Sequence, residues 1–311
     1  MAFIIAEIGQ AHEGSLGMAL SYIRALAETG VDAVKFQVHI AEAESSEFEP
    51  FRIKFSQQDK TRFDYWKRMS FTEEEWRLLK NECEKNEVEF LASPFSNEAV
   101  DLLERLGVNQ YKIGSGEVNN FLLLQKIADT GKPVILSSGM SSFNELDDTV
   151  KFLKEKEVGY SILQCTTAYP TKSEEYGLNV IAELKERYNV PIGYSDHSAK
   201  VETCIAAAAL GASILEFHAV FSRKSFGPDA TSSLEIEEIK TLVNAIKNIE
   251  IARNNPVDKS DNSKLASLKD IFEKSLAVNK ELPKGHLLSF DDLETKKPKG
   301  YGIEASKFES V

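Results

Sequence analysis

Short runs rich in Val, Ile and Phe alternate along the chain with longer stretches whose apolar residues recur every three or four positions. The first pattern predicts buried strands, the second amphipathic helices. Strand character marks residues 3–9, 33–40, 89–95, 110–116, 134–140, 161–166, 191–195 and 213–221. Helical periodicity fills the gaps, over 16–29, 72–85, 97–106, 122–129, 143–155, 180–188, 202–210 and 236–254. Several helical stretches stop at glycine (Gly30, Gly107, Gly131, Gly211), the residue best suited to close a helix in the left-handed conformation. Eight strand–helix units over about 250 residues match an α/β chain folded as a (β/α)8 TIM barrel. An open doubly wound sheet is the competitor. The turn after the first strand, Gly9-Gln10-Ala11-His12-Glu13-Gly14, lacks the glycine spacing of a dinucleotide loop and favours the barrel.

Two regions depart from the repeat. Residues 41–71 form a long connection carrying Phe48, Phe51, Phe55, Phe63, Tyr65 and Trp66. Connections of that length are binding loops or lids, or excursions with a small core of their own. After Asn254 the chain turns polar. The expected organisation is a catalytic barrel over 1–254, a linker over 255–274 and a small third segment over 275–311, which opens with a strand and a turn.

Composition narrows the functions available. Of 311 residues, 37 are Lys or Arg and 49 Asp or Glu, so the formal net charge is −12. A surface that acidic repels phosphate backbones, which argues against nucleic acid as a partner. No apolar run is long enough for a membrane span, and the N-terminus has no basic segment typical of a secretion signal. Cys83, Cys165 and Cys204 are widely spaced and form no pair motif, which points to the cytoplasm.

In a barrel of this kind the chemistry sits at the C-terminal ends of the strands. Glu7 closes the first strand. Lys35, Gln37 and His39 share one face of the second. The third ends in Ser93, the fourth carries Lys112, Ser115 and Glu117, and the fifth ends at Ser137. Strand six leads into Thr166, Thr167 and Tyr169, strand seven ends Ser195-Asp196-His197, and strand eight holds Glu216 and His218. Lysine inside an apolar strand is rare unless paired. With the serines, the two lysines have the makings of a phosphate pocket, although each serine alone reads equally well as a turn or cap residue. His197 and His218 lie on consecutive strands, and two neutral imidazoles suit a divalent transition metal. Asp196 and Glu216 beside them strengthen that reading. His12 and His39 are further ligands or ordinary polar loop groups.

In order along the chain, these motifs resemble the N-acetylneuraminate (sialic acid) synthase family, which includes legionaminic and pseudaminic acid synthases. The resemblance rests on Glu7-Ile8-Gly9 with His12-Glu13-Gly14, Lys35-Phe36-Gln37, Ser93-Pro94-Phe95-Ser96, Lys112-Ile113-Gly114-Ser115-Gly116-Glu117 and Ser137-Ser138-Gly139-Met140. It continues through Cys165-Thr166, Tyr169-Pro170-Thr171, Ser195-Asp196-His197 and Gly227-Pro228-Asp229. It implies a barrel followed by a partial antifreeze-like (SAF) domain, and condensation of phosphoenolpyruvate with an N-acylated amino sugar. The products are a nine-carbon 2-keto acid and inorganic phosphate.

On the resemblance, Glu7 is the catalytic carboxylate. Lys35, Ser93, Lys112, Ser115, Ser137 and Ser195 bind phosphoenolpyruvate. Gln37, Glu117, Tyr169 and Asp229 face the sugar. His197 and His218 hold a divalent metal, Mn2+ foremost, with Mg2+ and Co2+ as alternatives. The family's C-terminal domain swaps across a homodimer and offers an arginine to the partner's sugar site. Lys297 stands at the matching position, and lysine keeps the charge but loses the planar fork. Thr167 stands where some members carry asparagine, and Gln10-Ala11 replaces a more usual apolar–Asn pair. The acceptor sugar is therefore open between N-acetylmannosamine and a 2,4-diacetamido-trideoxyhexose. Two other readings are a barrel aldolase or lyase acting on a phosphorylated sugar, and a non-catalytic barrel that only binds.

Overall fold

Every second side chain of a strand faces the same way, and in this protein that alternation builds the inside of a barrel. The computed structural model describes residues 2–310; residues 1 and 311, the outer bounds of the expected segments, lie outside the described residues. The strands are β1 (Phe3–Glu7), β2 (Ala33–Val38), β3 (Glu89–Pro94), β4 (Tyr111–Ile113), β5 (Val134–Ser137), β6 (Tyr160–Cys165), β7 (Ile192–Asp196) and β8 (Ile214–Val220). All their ladders are parallel, in the order β3-β2-β1-β8-β7-β6-β5-β4, and a two-residue strand, β9 (Leu234–Glu235), pairs with β8. Among the described residues no ladder joins β3 to β4, so the barrel is closed but for one seam. The chain is an α/β protein with a nearly closed eight-stranded parallel barrel.

The helices follow the apolar periodicity. They are α1 (Leu16–Ala27), α2 (Ala41–Glu44), α3 (Arg62–Met69), α4 (Glu73–Lys85), α5 (Asn97–Leu106), α6 (Phe121–Ala128) and α7 (Phe143–Glu155). Then come α8 (Val180–Tyr188), α9 (Val201–Ala209) and α10 (Ile236–Asn254). Their starts are set by side-chain caps. In α4, Thr72 and Glu75 cap each other's backbone N–H, at 3.3 and 2.8 Å. Helix α5 starts on Ser96 and stops at Gly107, whose φ of 72° only glycine adopts without strain.

Residues 1–254 form one compact unit and 255–311 a second. In the first, helix faces pack on the outside of the strands around a continuous apolar core. Inside the barrel, Ile5, Ala33, Leu91, Ile135, Leu163 and Ile214 make a separate apolar layer. Two of the eight expected strands end three residues early. β4 stops at Ile113 because Ser115–Glu117 turns into a short 3-10 helix, and β5 stops at Ser137 ahead of a turn at Ser138–Ser141.

The connection after β2 has a small core of its own, Ala41, Tyr65, Trp66 and Met69, with Phe51, Phe55 and Phe63 against it. Arg68 ties it down, donating to Asp59 at 2.8 Å and to Glu13 at 3.2 Å. Gly14 passes so close that a Cβ there would meet the Arg68 carbonyl oxygen at 2.2 Å.

In the second unit an antiparallel ladder joins β10 (Ser275–Val278) to β11 (Leu293–Lys296), after a short helix, α11 (Ala266–Phe272). That helix lies within the stretch expected as a linker, 255–274. Leu265, Leu268, Ile271 and Phe272 recur at helical spacing within it. β11 has little apolar alternation and left no strand signal.

Candidate active site

Two residues beyond each member of the apolar layer, on the same face of its strand, stands a polar or reactive group. Ile5 is followed by Glu7, Ala33 by Lys35, Leu91 by Ser93, Ile135 by Ser137, Leu163 by Cys165 and Ile214 by Glu216. Lys112 and Ser195 join them from β4 and β7. Two residues further on come Gln37, His197 and His218. Strand period alone thus stacks a charged tier and an imidazole–amide tier above an apolar floor. Together they line an inner chamber of about 170 Å³ at the C-terminal mouth.

The charged tier is buried, with exposures of 1% for Glu7, 4% for Lys35, 2% for Lys112 and 5% for Glu216. Charges so deep persist only when paired. Lys35 Nζ is ion-paired with Glu7 Oε2 and lies 3.6 Å from Glu216 Oε1. Lys112 Nζ is 3.1 Å from the same Glu216 oxygen and donates to Ser137 Oγ at 2.7 Å. Ser195 Oγ donates to Glu216 Oε1 at 3.2 Å, and Lys35 donates to Ser93 Oγ at 3.4 Å.

Burial works against the Glu216 carboxylate, but Lys112 and then Lys35 outweigh it and hold its pKa near about 2. Burial lowers Lys35 to about 7, Glu216 opposing and Lys112 adding to the effect. Glu216 is therefore the shared counter-ion of the two lysines. The sequence reading placed it beside a metal; barrel closure sets it between β7 and β1, opposite Ser195 and Ile5.

Glu7 sits opposite Lys35 on one side and His218 on the other. Its Oε1 accepts from Gln37 Nε2 at 2.8 Å, and Gln37 Oε1 accepts from Gln10 Nε2 at 3.0 Å. Ser115 Oγ accepts from the Gly139 amide at 3.0 Å, which fixes it at the chamber wall. The His197 and His218 rings lie 5.3 Å apart, with Tyr169 stacked on His197 at 4.1 Å. His197 Nδ1 faces the Thr166 carbonyl oxygen at 2.9 Å and Cys165 Sγ at 3.9 Å, which leaves Nε2 for a further partner. Burial disfavours the charged His197 ring, yet Cys165 and the Thr166 carbonyl raise its pKa above the ordinary value. Burial lowers His218 to about 3. Asp196 turns away to accept from the Ser198 amide and hydroxyl at 3.2 and 2.8 Å, ahead of α9.

A second, outer chamber of about 220 Å³ shares Gln37, Thr167, Tyr169 and His218 with the inner one. Asp229 lines it, as do Phe51, Arg52 and Tyr65 from the connection after β2. Glu117 lines neither chamber; its carboxylate accepts from Asn120 Nδ2 at 2.7 Å. Lys297 belongs to the second unit, its ammonium 4.9 Å over the Phe272 ring. His12 is structural: Nδ1 accepts from the Gly14 amide at 3.0 Å and the ring packs on Phe71. His39 is stacked between Trp66 and Phe95 and bonded to Glu44 at 2.5 Å.

Reasoning from sequence did not find Cys165 or Arg52. The Cys165 signal was present in its position two residues after Leu163. Arg52 lies in a charged, aperiodic stretch and gave none.

Fold and site together define a barrel enzyme whose strand ends bury two lysines and two carboxylates beside a pair of imidazoles. The chain belongs to the NeuB family, whose sequence model matches residues 22–258. It is 34% identical over 312 residues to the N,N'-diacetyllegionaminic acid synthase of Campylobacter jejuni, covering 98% of this chain and 93% of that protein. It is 35% identical to the human N-acetylneuraminate-9-phosphate synthase, covering 97% and 85%. Among solved structures, the N-acetylneuraminic acid synthetase of Leptospira borgpetersenii in complex with citrate superposes with a TM-score of 0.77 at 33% identity, covering 86% of this chain and 90% of that one. A truncated 3-deoxy-D-arabino-heptulosonate 7-phosphate synthase of Thermotoga maritima, at 17% identity and a TM-score of 0.62, shares the fold.

Proposed function

We propose that the protein condenses phosphoenolpyruvate with the open-chain aldehyde of an N-acylated amino sugar, N-acetylmannosamine or a 2,4-diacetamido-trideoxyhexose. The observation that carries this is the buried Lys35–Glu216–Lys112 cluster, ringed by Ser93, Ser137 and Ser195 and opening directly onto His197 and His218. Two ammonium groups and several hydroxyls complement the phosphate and carboxylate of phosphoenolpyruvate. The adjoining outer chamber, with Gln37, Tyr169 and Asp229, takes the sugar. The named activities of the relatives support the same reading.

In the reaction, C3 of phosphoenolpyruvate bonds to the aldehyde carbon, whose oxygen takes up a proton. Water adds at the electron-poor C2 and gives up a proton, and the C2–O bond to phosphate then breaks. Glu7, held by Lys35 and Gln37 at the chamber wall, is the carboxylate placed to accept the water proton or to stabilise positive charge at C2.

His197 and His218 would hold a divalent metal, Mn2+ foremost. The donor set fits: His218 is neutral, and His197 has Nε2 left over once its proton is displaced. No group of three or more His, Cys, Asp and Glu among the described residues is placed to hold a metal ion. The protein would therefore supply two nitrogens and leave the other positions to water and substrate. A bound ion supplies Lewis-acid polarisation of the aldehyde. The second unit is read as the start of an antifreeze-like domain, and the working form as a cytoplasmic homodimer.

Phosphate release from phosphoenolpyruvate, with Mn2+ and each sugar in turn, tests this. Sugar-dependent release that a chelator abolishes is expected. Release that ignores the sugar, or none with either, would overturn the reading.

A further inference from the structure

The outer chamber contains a cation that no motif announces. Arg52 comes from the long connection after β2 and lies with its guanidinium 4.0 Å over the Tyr169 ring. Its Nη2 donates to Asp229 Oδ1 at 2.6 Å and to the Pro228 carbonyl oxygen at 3.2 Å. Tyr169 in turn stacks on His197. Arg52 therefore joins the connection after β2, the loop after β6 and the loop after β8 in one stacked and hydrogen-bonded assembly. Its Nε and Nη1 hydrogens bond no other described residue, and Arg52 lines the chamber.

The partners decide which chemistry those donors suit. Asp229 neutralises the guanidinium, so a second full negative charge gains little there. A neutral carbonyl oxygen gains a charge-assisted hydrogen bond without disturbing the ion pair. Beside Arg52 the wall includes the apolar Phe51, Ile53 and Phe55, while the chamber's other guanidinium, Arg62, is ion-paired with Glu49 at 3.0 Å. A planar donor next to an apolar wall matches an amide bearing a methyl group, with carbonyl to the donor and methyl to the wall.

We propose that Arg52 is a specificity-determining residue that reads the N-acyl group of the acceptor sugar. This rests on the synthase reading above, and it assigns the recognition to the same chain that holds the lysines and histidines.

The test compares the better acceptor sugar with its counterpart bearing a hydroxyl in place of the acylamino group, in the full chain with Mn2+. Arg52→Met should lower kcat/KM for the acylated sugar about ten- to hundredfold, the range of one charge-assisted bond. It should change the value for the hydroxyl counterpart less than about threefold. The KM for phosphoenolpyruvate should stay unchanged. Arg52→Lys keeps the charge but not the fork or the stack, and should recover little of the loss. If Arg52→Met fails to fold, Arg52→Lys carries the same comparison. Equal losses on both sugars, or none, would overturn the proposal while leaving the synthase reading standing. Absence of sugar-dependent phosphate release in the unmodified protein would overturn both.

Discussion

Lys35 lies between two carboxylates and close to a second lysine, and the balance among them decides how the anion pocket responds to pH. Burial disfavours its ammonium, Glu216 favours it and Lys112 disfavours it, with a net pKa of about 7. On the proposed function, only the protonated form attracts phosphoenolpyruvate. As pH rises through about 7 the empty pocket loses that charge and affinity falls. The KM for phosphoenolpyruvate is therefore expected to rise about tenfold or more between roughly pH 7 and 9, above the last ionisation of a phosphate group near about 6. A flat profile would show that Lys35 stays charged throughout. At this scale the two lysines were legible because ammonium groups in apolar strands stand out. The part played by Glu216 was not, because a carboxylate two residues from a histidine reads as a metal neighbour. Its partners come from β2, β4 and β7, distant in sequence.

The elements divide between those that periodicity specifies and those that packing specifies. All eight expected helices begin within one residue of their expected starts, since caps such as Ser96 and Thr72 are local signals. The connection after β2 is different. Its aromatic residues allowed either a binding loop or lid or a small separate core; the core is present around Tyr65 and Trp66, and Phe51 and Arg52 of the same connection line the outer chamber. It is held against the loop after β1 at Gly14, where φ is 74° and the Arg68 carbonyl leaves no room for a Cβ. Gly14→Ala should cost about 2 kcal/mol in chemical denaturation, combining left-handed strain with a clash against backbone. It should also weaken sugar binding more than phosphoenolpyruvate binding, because the displaced segment lines only the outer chamber. A stability change under about 0.5 kcal/mol would show that the segment moves aside freely.

Across the whole molecule, charge and chemistry pull in opposite directions. The chain carries a net charge of −12, yet its strand-end pocket sets two buried lysines, Lys35 and Lys112, against two buried carboxylates, Glu7 and Glu216, so charge there is balanced locally and shielded from the acidic surface. The barrel unit has its own continuous core and its own interior layer, and both chambers are lined from within it. A chain ending at Asp258 is thus expected to melt cooperatively, within about 5 °C of the barrel transition of the full chain, a shift equivalent to roughly 1–2 kcal/mol in a domain of this size. Circular dichroism on heating checks this. A broad, non-cooperative loss of signal would show that residues beyond 258 are needed for the barrel to hold.

The sequence by itself determined the order of the eight barrel strands and of the helices that follow them, the residues at each strand end and the family they resemble. These are local properties: apolar period, caps, glycine stops and motif order. Tertiary structure decided which of those groups meet. Closing the sheet brings β8 beside β1, so that Glu216 neutralises two lysines and His218 stands next to Glu7. It also turned Asp196 and His12 to backbone anchoring, kept Glu117 out of both chambers and brought Arg52 onto Tyr169 and Asp229. The physical reason is that a strand's period tells which residues share a face. Which faces converge depends on ring closure and loop packing, and these are set by burial and charge pairing among residues far apart in the chain.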